Sequence, residues 1–162
     1  MRAGSPFDQW PVQAFDERFG FGWFARPAAF VSHSVVPRGT LAAAEILQGW
    51  IDLVLRERAD EISEAGGLFV FHDWRSSTGY DSDARRVYLE RMRSRPRNYL
   101  RHSVTCVRAN PLFRMAIEAG NLVAALTARA KVELAGDPTL ALALHRIRPP
   151  LSGEPFPGLA PR

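Results

Sequence analysis

The sequence predicts a single α/β domain: a mixed, mostly parallel sheet of about five strands with about four helices. Three observations predict it. The chain has 162 residues, the size of one domain. Its hydrophobic share of 46% and charged share of 23% are ordinary for a folded domain, which excludes disordered and low-complexity classes. From Leu41 onward, short apolar runs alternate with helix-period segments, the pattern of strand–helix–strand crossovers.

Each element has a local reason. Phe15 to Trp23 and Ala28 to Val36 are aromatic and β-branched, with Arg26-Pro27 between them, and read as paired strands. Residues 41–63 read as one long helix, capped by Thr40 and ended by Gly66-Gly67. Leu68-Phe69-Val70-Phe71 reads as a buried strand, and Asp73 to Gly79 as a polar loop. Residues 81–94 read as a helix, with acids in the first turn and arginines after them, as the helix dipole prefers. His102 to Val107 is the next strand. Asn110-Pro111 starts a helix that reaches about residue 128, because asparagine caps and proline suits the first position. Lys131 to Leu134 is the last strand, and Asp137-Pro138 starts a final helix from Thr139 to about Arg146. The domain is therefore expected over 15–148, with an N-terminal extension over 1–14. Residues 149–162 hold five of the twelve prolines and read as a flexible tail. The three strand–loop–helix units place their loops at one end of the sheet, where ligands and regulatory contacts concentrate.

Several function classes lose support. No apolar run approaches the roughly 18 residues of a membrane span. The start of the chain lacks an apolar signal core. The lone Cys106 excludes an internal disulfide and a thiolate metal cluster, so a cytoplasmic protein is expected, with Cys106 buried in its strand. The common nucleotide, metalloprotease and hydrolase motifs are missing. His33, His72, His102 and His145 are scattered without metal-ligand spacing, so neither a metal nor a cofactor is expected. His72 and Asp73 are strand neighbours that point to opposite faces, which argues against a joint catalytic role. The expectation is a protein that is not an enzyme.

The richest segment joins the strand ending near His72 to the helix from Asp81. It carries Asp73, Trp74, Arg75, Ser76, Ser77, Thr78, Gly79, Tyr80, Asp81, Ser82 and Asp83. A hydroxyl at a helix start can cap free N–H groups, and a phosphate there would add nearly two negative charges. The run DWRSSTGYDSDA resembles the strand–loop–helix of STAS domains, the anti-sigma-factor antagonist fold. The likeness extends over roughly 15–148. With NPLFRMAIEAGNLV it resembles a divergent STAS-like branch of bacterial single-domain proteins. Asp73 and Asp81 match the spacing of that family's aspartates, and Ser82 stands at the position of its phosphorylated serine. Asp83-Ala84 replaces the usual Ser-Gly. The resemblance implies a regulatory or protein-interaction module, switched by modification near the 73–83 loop. Its partner would be a regulatory protein such as a kinase or an anti-sigma-like factor. The alternative it implies is a small-ligand or lipid-binding domain on the same fold, recognised by an apolar cavity between the sheet and the 41–63 and 111–128 helices.

Between Arg85 and Arg101 lie seven arginines against the single acid Glu90. Arg85, Arg86, Arg91 and Arg93 read as a basic surface for an acidic protein partner rather than for nucleic acid. Trp74 reads as an exposed anchor on the loop. Leu112, Met115, Ile117 and Leu122 read as a core stripe. Arg114, a cation in the first turn of its helix, invites a partner such as Asp73 or Asp81.

Overall fold

The computed structural model describes residues 4–108, 110–128 and 130–160, so the first residues of the N-terminal extension and the last two of the tail lie outside it. Six strands form one sheet in the order β1 to β6, with five helices among the described residues. β1 (Ala14–Asp16), β2 (Gly20–Ala25) and β3 (Ala29–Ser34) are antiparallel neighbours. β4 (Leu68–Asp73), β5 (Leu100–Cys106) and β6 (Lys131–Ala135) continue parallel to β3. The α/β class and the mostly parallel sheet are as the sequence predicts.

The sixth strand arises where one strand was expected. Asp16 accepts bonds from the Arg18 backbone and guanidinium, and Phe19 N–H donates to the Asp16 carbonyl at 3.0 Å. That turn splits the 15–23 segment into β1 and β2. The long helix also divides, into α1 (Leu41–Glu57) and α2 (Ala59–Glu64). At the break, the Arg58 guanidinium lies over the Phe24 ring and bonds Glu61, while Ile62 turns into the core. The three expected caps hold. Thr40 Oγ1 accepts from Ala43 N–H, Asn110 Oδ1 from Phe113 N–H, and Asp137 from Thr139 and Leu140 N–H.

α1, α2, α3 (Ser82–Ser94) and α4 (Pro111–Ala128) connect neighbouring parallel strands. Right-handed crossovers put all of them on one face. Leu47, Ile51 and Val54 of α1 pack there on Phe30, Leu68 and Val70. The other face is covered by α5 (Pro138–Leu144), by Ile147 and by Phe7 and Trp10 from before β1. These residues enclose Trp23, Val31, Phe69, Phe71 and Val104. Residues of the 4–14 segment, Phe7 and Trp10 among them, are thus part of the packing.

Two expectations are corrected. Leu112, Met115 and Leu122 are 80%, 64% and 61% exposed, whereas Phe113 and Ile117 are buried. α4 is apolar on two sides, and the side carrying the larger ring meets Tyr80, Leu134 and Val107. The 149–160 segment is not a loose tail either. Arg148 pairs with Arg26, and Phe156 is buried against Phe30 and Trp50. Phe156→Ala should cost about 3–5 kcal/mol of stability. Urea unfolding and limited proteolysis check it: the midpoint falls, and cleavage appears first within 149–160.

Candidate functional site

The carboxyl ends of β3, β4 and β5 share one edge of the sheet, and the expected loop lies there. Asp73, at the end of β4, is 1% exposed. His33 Nδ1 donates to its Oδ2 at 2.8 Å from the same face of β3. Arg75 closes back with Nε on Oδ1 at 2.8 Å and Nη2 on Oδ2 at 3.0 Å. Burial opposes ionisation of Asp73. The bonds from His33 and Arg75 outweigh it and hold the carboxyl at about 2. Cys106, its register neighbour on β5, is buried. Burial first and the Asp73 charge second push its thiol up to about 12, which suppresses the thiolate a nucleophile needs.

The rest of the loop is tied to the segment after β3. Ser76 donates to the Ser34 carbonyl, Ser77 to Val36 and Thr78 to Pro37. Gly39 pairs with Tyr80 across a close approach. A Cβ on Gly39 would meet the Tyr80 Cβ at 2.8 Å, so the approach needs glycine. Asp81 precedes α3 and bonds Arg38. Ser82 and Asp83 are exposed at the start of α3. Trp74 does not project into solvent. It stacks on His72 at 4.9 Å and packs against Tyr88 at 5.7 Å, with its indole N–H buried and unpartnered.

The arginines divide. Arg86 pairs with Asp83, whereas Arg91 and Arg95 both bind Asp52 of α1. Arg95 is only 5% exposed, and Arg101 donates to the Gly67 and Pro27 carbonyls. Arg85 and Arg93 face solvent, with no ion pair among the described residues. Arg114 pairs with Glu118 of its own helix, not with Asp73 or Asp81.

Beneath α3 lies a cleft that no local motif announced. Ile51 and Gln48 of α1, Val70 and His72 of β4, and Ser103 and Thr105 of β5 form its floor and one wall. Tyr88, Leu89, Met92 and Arg85 roof it, and Ile117, Gly120 and Asn121 of α4 close the far side. Its cavity volume is about 90 Å³, and its lining is mainly apolar. α3 rests on α1 and α4 rather than on the sheet, and Ala84 is its one buried residue. Two lining residues carry buried polar atoms without a hydrogen-bond partner among the described residues: Trp74 Nε1 and Gln48 Oε1. His72 also lines it. Burial, helped by the Arg95 charge, lowers His72 to about 3, so its ring is neutral there.

On the opposite face, His102, Glu133 and His145 converge, although sequence spacing gave no hint of it. Comparison with known proteins finds no matching family model, no matching curated protein and no matching solved structure.

Asp73 makes the site sensitive to acid. Its folded pKa lies below the unfolded value near 3.9, so its contribution is complete above about pH 4. As pH falls toward 2 the protein should lose about 2 kcal/mol through this group. Chemical denaturation at stepped pH measures it, and Asp73→Asn should flatten that limb.

Proposed function

We propose that this chain is a non-catalytic binding domain for a small amphipathic anion, held in the cleft between the sheet and α1, α3 and α4. The observation that carries the reading is an apolar cleft whose lining residues Trp74 and Gln48 each hold a buried polar atom, Nε1 and Oε1, with no hydrogen-bond partner among the described residues. Each such atom costs about 1–3 kcal/mol when left without a hydrogen bond. A ligand with an acceptor for the indole and a donor for the amide oxygen would relieve both once these side chains turn toward it. Its apolar body would lie against Ile51, Leu89, Met92 and Ile117. Arg85, exposed on the lining and free of ion pairs among the described residues, would meet a carboxylate.

Gly120 supports the same reading. Glycine inside a helix costs about 1 kcal/mol against alanine. A Cβ at Gly120 would meet nothing within 4 Å, so packing does not demand it. What the missing side chain provides is room in the cleft.

A second reading rests on Ser82. It is the exposed first residue of α3, the helix that roofs the cleft. In a STAS-like module, a phosphate there would be favoured by the free N–H groups of that helix and opposed by Asp81 and Asp83. Its partner would be a regulatory protein meeting the loop and the outward arginines. No described helix is long and apolar enough to cross a membrane.

The binding reading is tested by calorimetric titration with aliphatic and aromatic carboxylic acids of about ten heavy atoms, and with the matching alcohols. The acids should bind and the alcohols should bind at least about ten-fold more weakly. Gly120→Leu should fill the cleft and abolish binding while raising the unfolding midpoint. Trp74→Phe should weaken binding about ten-fold with the fold intact. Acids that fail to bind, or that bind Gly120→Leu as well as the parent, would remove the proposal.

A further inference from the structure

The face of the sheet away from the cleft carries a second constellation. His102 stands on β5, Glu133 on β6 and His145 at the C-terminal cap of α5. In the β5–β6 register His102 lies opposite Lys131 and Val104 opposite Glu133, so His102 and Glu133 are diagonal neighbours on one face. α5 returns over that face and lowers His145 between them. One ligand atom from each of the three residues falls within 4.8 Å of the other two.

We propose that His102, Glu133 and His145 form a binding site for a divalent transition-metal ion, best matched by zinc. The site has three protein ligands and a fourth position open to solvent. Two imidazoles and one carboxylate are the donor set that suits zinc with one exchangeable position. Tetrahedral bonds of about 2.0–2.2 Å place ligand atoms roughly 3.4 Å apart. His102 Nε2 already lies 3.4 Å from Glu133 Oε2. His145 Nε2 and Glu133 Oε1 are 2.6 Å apart, a hydrogen bond whose proton the metal would replace.

Three further features fit a metal better than a simple hydrogen-bonded cluster. His102 Nε2 is buried and has no hydrogen-bond partner among the described residues, although the Glu133 carboxylate is beside it. The rings are also held in place. Phe69 lies 5.0 Å from both imidazoles, and the two imidazoles cross at 65° with centroids 4.6 Å apart. Glu133 keeps 39% of its side chain exposed, which leaves an entry path for the ion. The nearby Lys131 cation works against a dication, and the Glu133 charge offsets it. This site shares no residue with the cleft.

The test uses the full chain without an affinity tag, stripped with a chelator and titrated with zinc chloride, then with cobalt chloride. Zinc should bind with one-to-one stoichiometry and raise the thermal midpoint by roughly 5 °C at saturating concentration. Cobalt should give the intense visible absorption of a four-coordinate site. Glu133→Gln and His145→Ala, both at partly exposed positions, should each weaken zinc binding at least roughly ten-fold with circular dichroism unchanged. His102→Asn gives a third reading from the buried side. Absence of stoichiometric uptake by the parent, or uptake that survives both Glu133→Gln and His145→Ala, would overturn the proposal.

Discussion

α3 fully buries only Ala84, with Tyr88 packed partly against the core, and polar ties fasten it to α1. Arg91 and Arg95 converge on Asp52, and Arg95 also donates to the Gln48 carbonyl and lies over the Tyr99 ring. This fixes the C-terminal half of α3 at the height of α1, not of β4 and β5. The gap below is spanned by long side chains, Tyr88, Leu89 and Met92, and by the indole of Trp74. Long side chains leave space where a helix backbone with alanines would close it. The cleft thus follows from the composition of one helix and one inter-helix ion cluster.

The loop before α3 is held by separate contacts. Asp73 and Asp81 have different environments. Asp73 is buried and clamps β3 to β4 through His33, with Arg75 folded over it. Asp81 is partly exposed and bonds Arg38 of the neighbouring loop. Serine and threonine hydroxyls between them donate to carbonyls of residues 34–37, so the two loops form one packed unit. Three of the segment's four serine and threonine hydroxyls, those of Ser76, Ser77 and Thr78, are therefore consumed in holding the loop. Ser82 and Asp83, beyond it, are what the loop offers to solvent.

Much of this was legible where the determinants are local. The parallel crossovers, the three caps and the burial of Cys106 follow from period, capping residues and strand context. What was not legible depends on residues distant in the chain. Nothing near Asp73 names His33 as its partner, since the pairing exists only through the β3–β4 register. His102 and His145 meet Glu133 because α5 doubles back over β6. Phe156 reaches the core from a proline-rich segment whose composition alone reads as loose. The two-sided apolar pattern of α4 was ambiguous in itself. Periodicity identifies a stripe, but which stripe is buried is decided by Tyr80, Val107 and Leu134 from other elements.

Strand β5 shows why the two proposed sites are physically separate yet not independent. Its side chains alternate between faces, as a strand requires. His102 points toward Glu133 and His145, Ser103 lines the cleft, Val104 enters the core beside Phe69, and Thr105 lines the cleft again. No side chain reaches both sites, so no direct contact couples them. The β5 backbone serves both, and β6 carries Glu133 on one face and Leu134 against the α4 side on the other. An ion that drew Glu133 and His102 together would pull on the β5–β6 pair at its N-terminal half. Any effect on the cleft would have to travel through that ladder and through α4, which packs on β6. Coupling of this kind needs two discrete arrangements of α4 on the sheet. The buried contact of Phe113 and Ile117, set beside the exposed Leu112, Met115, Leu122 and Leu126 of the same helix, is what α4 would have to give up or rebuild in such a shift.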